Sequence, residues 1–567
     1  MSSSAETFAR MCSRSGLHVS TYSSYQSVIR GGHVWTQVRA GEERTLCYGE
    51  DPDVLICLNH DTMDLHARNA TEDGAIVFDS NAIEAPKEGL RQGVKLVEVP
   101  LLELARSYST AQVMKNTVAL GATARLLDMN LEVLNSIIKS AFGDKKREVV
   151  DANIGAAMAG YDYVDKGRGS LNLGLRYTHK PRMLVTGNEA IAIGALAAGA
   201  KFHAQYPMTP SSGILHYLAV QGPKHGMVVK QSEDELASIN LAIGAGFAGV
   251  RAMTATSGGG FSLMVEGLGL AGMIEVPLVA VLAQRGGPST GLPTKTEQGD
   301  LNLALGAGQG DWPRAVIAPR NPQECFHKTV EAFNLAESYQ TPVIIMSDLV
   351  LSEGYGTVET FDFNVPIKRG PMAGEPDAAD FKRYLVTDSG VSPRSIPGQK
   401  GLQHIAGSDE HLEDGTLISD VLAGLPDSIV GRRKMMQKRM RKLEGMLRDT
   451  SPPELWGPED ADLTVVSWGS SQGPVREAVE RVNSNHSVKV NSLEYVHLFP
   501  FHAEETKRIL GGSKSTLAVE GNYTGQFSRL LRAETGIKMD HHLLKYDGEP
   551  FEPRDVVAKI KEVLSLA

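Results

Sequence analysis

Short apolar runs alternate with longer amphipathic stretches along most of this 567-residue chain. Runs of this kind predict strands, whereas apolar residues at three- and four-residue spacing predict helices. In the first part of the chain, strands are expected near residues 18–21, 53–58, 75–78 and 95–99, and helices near residues 5–15 and 118–127. Strands that alternate with helices build parallel sheets covered by helices. The pattern therefore predicts an α/β fold with several doubly wound domains.

The alternation stops and restarts twice along the chain. Strands are expected again at residues 182–187, 250–256, 276–282, 315–318, 343–346 and 463–470. Between these groups lie a polar, glycine-rich stretch and a longer irregular segment, which are typical of linkers and loops. We therefore predict a first domain at 1–165, a linker at 166–181, a second domain at 182–366, an irregular insertion that ends in a basic helix at 367–455, and a last domain at 456–567.

The predicted basic helix at 432–448 carries Met436, Met440, Leu443 and Leu447 at three- and four-residue spacing. Basic amphipathic helices occur on membranes and nucleic acids, and also on ordinary globular domains. We interpret this one as a solvated helix that packs on its apolar stripe.

The overall charge and composition narrow the class of protein. The formal net charge of −10 argues against a polyanion-binding surface, and hence against a nucleic-acid-binding protein. No apolar run approaches the roughly 18 residues that a membrane span needs. The N-terminal residues lack the basic and apolar regions of a secretory signal. A cytoplasmic protein without a membrane role is therefore expected.

The four cysteines offer no local metal site, because no two of them lie at C-x-x-C spacing. They are Cys12, Cys47, Cys57 and Cys325. We expect thiols in a reducing compartment and no metal bound by this chain. Any redox metal chemistry would have to come from a partner.

The segment 206–212 (YPMTPSS) is the sharpest local signal for a binding site. Pro210 suits the first position of a helix, which would place Thr209 at the N-cap. Free N–H groups at such a helix start favour a carboxylate or phosphate, and the hydroxyl groups of Thr209, Ser211 and Ser212 add donors. A helix start of this kind can also be purely structural. Its position after a strand favours binding, because open parallel sheets bind ligands at that edge.

Three further turns follow predicted strands of the same sheet. Residues 231–237 (QSEDELA) lead an acidic run into an apolar helix, and spacing alone does not choose between Glu233 and Glu235 as a buried carboxyl group. Residues 254–260 (TATSGGG) end in three glycines, which allow close approach of a ligand or of another element. Arg285 could hold a carboxylate with both arms of its guanidinium, or lie free at the surface.

Together the four turns predict a cavity with an anion-binding turn, a carboxyl group, an arginine and exposed backbone, which fits a 2-oxo acid. Decarboxylation of a 2-oxo acid needs an electron sink that side chains do not supply, so a cofactor is implied. The G-x-G-x-x-G spacings at 244–249 and 267–272 lie inside apolar helices, where helix packing explains them better. Neither a Walker A sequence nor a Gly-Asp-Gly…Asn metal–diphosphate motif is present. We therefore expect only half of a cofactor site in this chain.

At these turns the sequence resembles the α subunit of 2-oxoacid:ferredoxin oxidoreductases, in the form whose γ domain is fused in front. The resemblance spans nearly the whole chain, and the motif at 206–212 is highly specific. The other matching runs are 30–33 (RGGH), 187–190 (GNEA) with Gly194 and Ala195, 233–235 (EDE) with Gly244, 254–260, 285–290 (RGGPST), 468–470 (WGS) and 520–526 (EGNYTGQ).

The resemblance implies a role for each residue of the predicted cavity. Thr209 would hydrogen-bond the substrate, and Arg285 would hold its carboxylate. Glu235 would contact N1′ of the aminopyrimidine of thiamine diphosphate, and it is chosen over Glu233 because related domains place a glycine nine residues later, as Gly244 is here. The remaining assignments are substrate binding for Tyr206, Ser211 and Ser212, cofactor binding for Thr256, Ser257, Gly258 and Gly259, and coenzyme A binding for Lys115, Ser289 and Thr290.

The family also implies a domain order and a partner. The expected domains are a γ-type domain that helps to bind coenzyme A, a thiamine diphosphate pyrimidine-binding domain, and a transketolase C-terminal-like domain. A separate β subunit would supply the Mg²⁺–diphosphate site and a [4Fe–4S] cluster, in an (αβ)2 assembly that reduces ferredoxin. Family γ domains begin with a strand and a glycine-rich turn, whereas this sequence starts after that point. The first strand of the γ-type domain is therefore expected to be missing.

The fused γα layout most resembles enzymes that act on 2-oxoglutarate. The expected reaction converts 2-oxoglutarate, coenzyme A and oxidised ferredoxin to succinyl-CoA, CO2 and reduced ferredoxin, in either direction. Pyruvate and branched-chain 2-oxo acids are the alternative substrates. A non-catalytic subunit that binds coenzyme A or organises partners is the alternative from a different class, and the presence of Thr209, Glu235 and Arg285 argues against it.

Overall fold

The computed structural model describes residues 2–27, 31–86, 88–143, 147–165, 170–418 and 426–566. Arg30 of the RGGH run and the predicted linker start at 166–169 lie outside the described residues. The chain divides into two units, which are Met1–Val185 with Gly354–Thr360, and Thr186–Glu353 with Phe361–Ala567. Among the described residues, no helix combines the length and the apolar character that crossing a membrane would require.

The first unit contains the elements that the apolar pattern predicts, with boundaries shifted by a few residues. Its helices are α1 (Ser2–Arg14), α2 (His60–His66), α3 (Leu101–Arg106), α4 (Lys115–Leu126), α5 (Leu131–Phe142) and α6 (Arg147–Asp165). Its strands are β1 (His18–Ser24), β2 (Trp35–Gly41), β3 (Val54–Cys57), β4 (Ala75–Asp79), β5 (Lys95–Val99) and β6 (Met183–Thr186).

A three-stranded parallel sheet in the order β3–β4–β5 forms one core of this unit. Helices α4 and α6 pack closely together at Gly121 and Gly160. A Cβ atom at either position would overlap the backbone of the opposite helix. At the start of α4, the Lys115 ammonium donates a hydrogen bond of 2.8 Å to the carbonyl of Leu58, just after β3. Lys115 therefore lies at the carboxyl end of this sheet.

The second part of the chain continues the alternation of strands and helices. The helices are α7 (Gly187–Ala197), α8 (Ser212–Gln221), α9 (Glu235–Phe247), α10 (Gly258–Met273), α11 (Leu301–Leu305), α12 (Pro322–Tyr339) and α13 (Leu349–Glu353). The strands are β7 (Phe202–Gln205), β8 (Val228–Gln231), β9 (Ala252–Thr256), β10 (Leu278–Gln284), β11 (Ala315–Ile317), β12 (Pro342–Asp348) and β13 (Tyr355–Val358). β13 belongs to the first unit, in a four-stranded sheet of order β2–β1–β13–β6.

The C-terminal part consists of one long helix followed by a further α/β region. The helices are α14 (Pro426–Asp449), α15 (Gln472–Asn485), α16 (Ala503–Leu510), α17 (Gln526–Thr535) and α18 (Pro553–Leu564). The strands are β14 (Glu454–Trp456), β15 (Leu463–Trp468), β16 (Val490–Tyr495), β17 (His497–Phe499), β18 (Thr516–Glu520) and β19 (His541–Leu544).

Two largely parallel sheets organise the second unit. The first has the order β17–β11–β12–β10–β9–β7–β8 and is parallel except for β17. The second has the order β14–β16–β15–β18–β19 and is parallel except for β14. Strands β9, β10 and β12 are buried along their whole length, as expected for strands covered on both faces. The predicted α/β fold class is confirmed, and the four predicted turns follow β7, β8, β9 and β10 at one edge of one sheet.

Glycines inside α9 and α10 allow close packing, as the sequence indicates. A Cβ at Gly246 would lie 2.6 Å from the carbonyl oxygen of Pro277, and one at Gly267 would lie 2.9 Å from the side chain of Ile239. A Cβ at Gly272 would lie 2.9 Å from the ring of Trp312. Helix packing therefore accounts for Gly246, Gly267 and Gly272, whereas a Cβ at Gly244 would meet nothing within 4 Å and one at Gly269 nothing closer than 3.9 Å.

The basic helix α14 packs through a different face from the one that the sequence predicts. Its buried side chains include Met435, Lys438, Lys442 and Met446, whereas the predicted stripe of Met436, Met440, Leu443 and Leu447 is only half-buried. The Nζ atom of Lys438 lies 2.6 Å from Oε1 of Glu275, and that of Lys442 lies 2.7 Å from Oε2. The predicted packing stripe is therefore wrong, because a buried carboxylate turns two lysines towards the core.

Candidate active site

The turn at 206–212 follows β7, but the helix after it begins later than predicted. Helix α8 starts at Ser212, its cap residue is Ser211, and Ser211 makes no side-chain cap bond. The Thr209–Pro210 peptide is cis. The prediction of Thr209 at the N-cap and Pro210 at the first helical position is therefore wrong.

Two buried side-chain amides hold the turn in this shape. Asn188 donates a hydrogen bond of 2.7 Å to the carbonyl of Pro210, and Gln205 donates to the carbonyl and the hydroxyl of Ser211 at 3.1 and 3.0 Å. The Ser211 hydroxyl in turn donates to the carbonyl of Met208 at 2.8 Å. Since Ser211 is fully buried, the hydroxyl that we expected at the anion site is already used within the turn.

Arg285 joins this turn from the loop after β10. Its Nη1 donates a hydrogen bond of 2.8 Å to the carbonyl of Thr209. Its Nε and Nη2 donate no hydrogen bond to the described residues, which leaves two donors for a carboxylate. Burial lowers the pKa of the guanidinium, and the nearby carboxylate of Asp300 opposes that effect. Thr209, Ser212 and Tyr206 are all at least partly exposed beside the buried part of the turn.

The three acidic residues at the start of α9 occupy three different environments. Glu233 is exposed to solvent. Asp234 caps the helix, since its Oδ1 accepts a hydrogen bond of 2.7 Å from the N–H of Ala237. Glu235 is buried, with an exposed fraction of 3%. Helix capping therefore does not account for Glu235.

The Glu235 carboxylate connects three of the four predicted turns. Its Oε1 accepts a hydrogen bond of 3.1 Å from the hydroxyl of Thr256, at the end of β9. That hydroxyl lies 3.7 Å from the sulfur of Met208, in the turn after β7. The second carboxylate oxygen accepts no hydrogen bond from the described residues. A buried carboxylate with one free oxygen therefore faces the rim of the sheet.

Helix α10 begins against this carboxylate because residue 260 is a glycine. A Cβ at Gly260 would overlap both the Glu235 carboxylate and the Thr256 hydroxyl. The glycine therefore leaves room for the carboxylate. From the sequence, the three glycines at 258–260 indicated close approach but not which group approaches.

The residues before and at the start of α10 differ in exposure. Ser257 is fully buried, and its hydroxyl has no hydrogen-bond partner among the described residues. Gly258 faces the Asp300 carboxyl group, whereas Gly259 is exposed, with open space beside its Cα. The buried Ser257 hydroxyl is a donor that a bound ligand would satisfy.

Asp300 lies at the same rim, although the sequence reasoning missed it. Its N–H donates a hydrogen bond of 3.0 Å to the side chain of Gln284, the last residue of β10. Burial and the charge of Glu297 raise the pKa of the Asp300 carboxyl to about 6, against the opposing effect of Arg285. The signal that could have found it is the polar run 297–300 (EQGD) between β10 and α11.

Turns of the C-terminal sheet make hydrogen bonds with the polar run at 297–300. The Gln298 side chain donates a hydrogen bond of 2.8 Å to the carbonyl of Trp468 and accepts one of 2.9 Å from the N–H of Gly521. The Gln526 side chain donates to the carbonyl of Gly299 at 2.7 Å. The matching runs at 468–470 and 520–526, in the last predicted domain, therefore reach the rim of the seven-stranded sheet.

The residues expected to contact coenzyme A lie in different parts of the chain. Lys115 belongs to the first unit, where it binds the carbonyl of Leu58. Ser289 and Thr290 are exposed in the loop after Arg285, in the second unit. Their role in coenzyme A binding stays a prediction.

The described residues contain no group of three His, Cys, Asp or Glu side chains that could hold a metal ion. All four cysteines are buried and free of disulfides. Burial raises the pKa of the Cys12 and Cys57 thiols to about 12. These two thiols therefore remain protonated at neutral pH.

Two protein families match this chain. Residues 193–422 match the family described as "Pyruvate flavodoxin/ferredoxin oxidoreductase, thiamine diP-bdg". Residues 1–163 match the family described as "Pyruvate ferredoxin/flavodoxin oxidoreductase". The first match includes all four turns of the candidate site and shows that a thiamine diphosphate-binding domain is present.

Two relatives and one solved structure are similar over most of their length. The 2-oxoacid:ferredoxin oxidoreductase subunit alpha of Saccharolobus solfataricus is 35% identical, over 83% of this chain and 76% of its own. The 2-oxoglutarate oxidoreductase subunit KorA of Mycobacterium tuberculosis is 33% identical, over 88% of this chain and 79% of its own. The structure of 2-oxoglutarate:ferredoxin oxidoreductase from Magnetococcus marinus, with 2-oxoglutarate, coenzyme A and succinyl-CoA bound, is 34% identical, with a TM-score of 0.90, and covers 99% of this chain and 96% of that chain.

Proposed function

This chain belongs to the family of 2-oxoacid:ferredoxin oxidoreductase α subunits, and we propose that it is the α subunit of a thiamine diphosphate-dependent enzyme that acts on 2-oxoglutarate. The reaction would convert 2-oxoglutarate, coenzyme A and oxidised ferredoxin to succinyl-CoA, CO2 and reduced ferredoxin, with two electrons passing to ferredoxin. It would run in either direction. The observation that carries the proposal is the meeting of Glu235, Thr256 and the turn at 206–212 at the rim where Arg285 offers two free donors.

The choice of 2-oxoglutarate rests on the similar proteins. The relative from Mycobacterium tuberculosis and the structure from Magnetococcus marinus carry 2-oxoglutarate in their names. The relative from Saccharolobus solfataricus, at a similar identity, is named for 2-oxo acids in general. Pyruvate and branched-chain 2-oxo acids are therefore the alternative substrates.

The residues at the rim fit the aminopyrimidine half of thiamine diphosphate. Glu235 would bind N1′ of the ring through its free oxygen and hold a proton there, since the Thr256 hydroxyl occupies the other oxygen. The unpartnered hydroxyl of Ser257 and the backbone of Gly258 and Gly259 would line the same ligand. When bound, the cofactor supplies the electron sink for decarboxylation.

Arg285 and the turn at 206–212 would bind the substrate. The two free donors of Arg285 match the two oxygens of a carboxylate. The Thr209 hydroxyl would bind the carboxylate or the keto oxygen, with Tyr206 and Ser212 beside it. Because Arg285 is itself tied to the Thr209 carbonyl, both groups would be placed relative to one another before the substrate arrives.

A β subunit would complete the site with the Mg²⁺–diphosphate half and a [4Fe–4S] cluster. Exposed apolar side chains on α9 and α10 support a partner, namely Leu236, Leu241 and Leu263, which are 40–48% exposed. Apart from Glu235 and Glu266, these two helices carry no charged residue. A partner subunit that contacts α9 and α10 would bury these leucines. We infer an (αβ)2 enzyme of the cytoplasm that uses ferredoxin.

The domain division stays part of this proposal. Residues 1–165 would form the γ-type domain, residues 182–366 the pyrimidine-binding domain and residues 456–567 the transketolase C-terminal-like domain. Lys115 in the γ-type domain, and Ser289 and Thr290 in the pyrimidine-binding domain, stay separate candidates for coenzyme A binding.

Purified α and β subunits, assayed alone and mixed, test the proposal. The assay contains coenzyme A, thiamine diphosphate, Mg²⁺, methyl viologen as electron acceptor, and a panel of 2-oxo acids. We expect activity only in the mixture, with the highest kcat/KM for 2-oxoglutarate. A mixture that oxidises none of the 2-oxo acids would overturn the proposed function, whereas a higher kcat/KM for pyruvate would overturn only the choice of substrate.

Gly260→Ala is expected to lower kcat of the mixture by about 10²-fold, because displacing a catalytic group by about 1 Å has effects of that size. The new methyl group would push the Glu235 carboxylate away from the Thr256 hydroxyl. Gly269→Ala is the matched control in the same helix, since its Cβ would meet no atom closer than 3.9 Å. Equal activity of the two variants would contradict the assigned role of Gly260.

A further inference from the structure

One oxygen of the Asp300 carboxyl group is buried at the rim without a hydrogen-bond partner. This atom, Oδ2, accepts no hydrogen bond from the described residues. Asp300 occupies the N-cap position of α11, where an aspartate side chain normally accepts a hydrogen bond from the helix, yet it makes no cap bond. The carboxyl group faces the start of α10 instead, because a Cβ at Gly258 would lie 2.6 Å from Oδ2 and 2.9 Å from Oδ1.

Backbone contacts fix Asp300 in this position. Its N–H donates to the Gln284 side chain at 3.0 Å, and its carbonyl accepts from the N–H of Ala304 at 2.9 Å. Gln284 also donates to the carbonyl of Ser347 at 3.2 Å, on the neighbouring strand. Gln284 directly precedes Arg285, so one residue at the end of β10 positions both the acid and the arginine.

Two charged side chains act on the Asp300 carboxyl group, Glu297 from its own loop and Arg285 from the loop after β10. The start of α10 contributes only glycines, and α11 contains no charged residue. Arg285 and Asp300 interact electrostatically, and the one hydrogen bond that Arg285 donates to the described residues goes to the Thr209 carbonyl. Burial and Glu297 raise the pKa of Asp300 to about 6, so this group exchanges a proton near neutral pH.

We propose that Asp300 takes up a proton when the carboxylate of the 2-oxo acid binds Arg285. This role rests on the proposed function. In the free site the Asp300 carboxylate is the counter-charge of Arg285, and a second carboxylate beside the same guanidinium would be repelled. A proton from solvent on Asp300 removes that repulsion, and no bond of the substrate forms or breaks in this step. When CO2 leaves, Arg285 loses its ligand and Asp300 returns the proton to solvent.

Asp300 is thus a positioning residue that acts through Arg285, and the pH dependence of substrate binding tests it. We compare the wild-type chain with Asp300→Asn, mixed with the β subunit, over pH 5.5–8.5. The asparagine has the shape and neutrality of the protonated acid. Above a midpoint near 6, the wild-type kcat/KM for 2-oxoglutarate should fall by about tenfold per pH unit, through a rise in KM. Asp300→Asn should keep a constant KM that is lower than the wild-type KM at pH 8.

The matched control is Glu297→Gln, in the same loop. Removing the Glu297 charge should move the wild-type midpoint to lower pH and keep the slope, because Glu297 raises the pKa of Asp300. The proposal is overturned if Asp300→Asn keeps the wild-type pH profile, if a folded Asp300→Asn has a raised KM at every pH, or if Glu297→Gln is the variant that removes the pH dependence.

Proton uptake gives a second readout that does not depend on turnover. Calorimetry in buffers of different ionisation enthalpy measures the protons taken up when 2-oxoglutarate binds the αβ complex prepared without thiamine diphosphate. At pH 7.5 we expect nearly one proton per site for the wild-type chain and none for Asp300→Asn. No uptake in either would overturn the role of Asp300 while leaving the proposed function intact. Failure of the wild-type mixture to oxidise any 2-oxo acid would instead be a failure of the proposed function.

Discussion

Glu235→Gln is expected to lower kcat of the mixture of α and β subunits by about 10²–10⁴-fold, the range for loss of an acid–base group. Glutamine has nearly the same size and can still accept the hydrogen bond from Thr256 through its amide oxygen. It cannot hold and release a proton at the cofactor ring. The measurement is kcat with saturating 2-oxoglutarate and methyl viologen, beside the thermal unfolding temperature, which should stay close to that of the wild-type chain.

Glu233→Gln is the matched control for this variant. It removes the same charge two residues earlier, from a side chain that is exposed to solvent, and it should leave kcat unchanged. The pair of variants separates the buried carboxylate from the general charge of the acidic run. An equal loss from both variants, or full activity of Glu235→Gln, would contradict the assignment of Glu235.

Glu275→Gln is expected to destabilise the second unit by about 3–5 kcal/mol, the effect of removing one partner from a buried ion pair. Glu275, Lys438 and Lys442 have fully buried side chains. Burial alone would raise the pKa of Glu275, but the two lysines and Arg383 outweigh it and hold that pKa well below its usual range. A glutamine would remove the counter-charge of both buried lysines, so each lysine would have to stay charged without a partner or lose its proton. The measurement is urea unfolding at pH 7.

This destabilisation should depend on pH in a direction that the lysines set. Burial lowers the pKa of Lys438 to about 7, against 10.5 for an ordinary lysine, and it also lowers the pKa of Lys442. Between pH 7 and pH 10.5, Lys438 carries more protons in the unfolded chain than in the folded chain, so the free energy of unfolding rises with pH. Because a neutral lysine needs no counter-charge, the difference between Glu275→Gln and the wild-type chain should shrink from pH 7 to pH 9.

Acid should act on the wild-type chain through Glu275 itself. Its pKa in the folded chain lies below the ordinary 4.5, so the stability that it contributes is complete above that value and is lost as the pH falls below it. The control is Glu504→Gln, which removes an exposed carboxylate paired with Lys507 on the surface. Surface pairs contribute little, so the urea midpoint of this control should not change. A comparable loss of stability in both variants would contradict the role of the buried cluster.

Much of the fold could be predicted because strand and helix patterns are local. Apolar runs such as those at 75–78 and 343–346 identify strands from consecutive residues alone. The parallel sheet then follows from the alternation of these strands with helices. The same reasoning placed the turns after β7, β8, β9 and β10 at one rim, since the carboxyl ends of parallel strands share an edge. The four turns, with Thr209 and Arg285, were therefore accessible from the sequence.

The start of α8 was not accessible, because tertiary hydrogen bonds override the local preference. Pro210 and Thr209 suit the first turn of a helix by residue type. In the folded chain, the side chains of Asn188 and Gln205 bind the backbone of this turn and the helix begins at Ser212. A cap preference of about 1 kcal/mol decides the start of a helix only where no buried contact competes.

The sequence by itself determined the fold class and the shared rim, because the periodicity of strands and helices suffices for these, and the resemblance to a family implied the kind of chemistry. Only the tertiary structure decided which groups meet. Arg285 reaches the Thr209 carbonyl across 76 positions, and Lys438 reaches Glu275 across 163. The tertiary structure also placed Asp300 at the rim and put lysines in the buried face of α14. The physical reason is that the order of strands in a sheet decides which residues that are distant along the chain come together. Spacing along the chain does not encode that order.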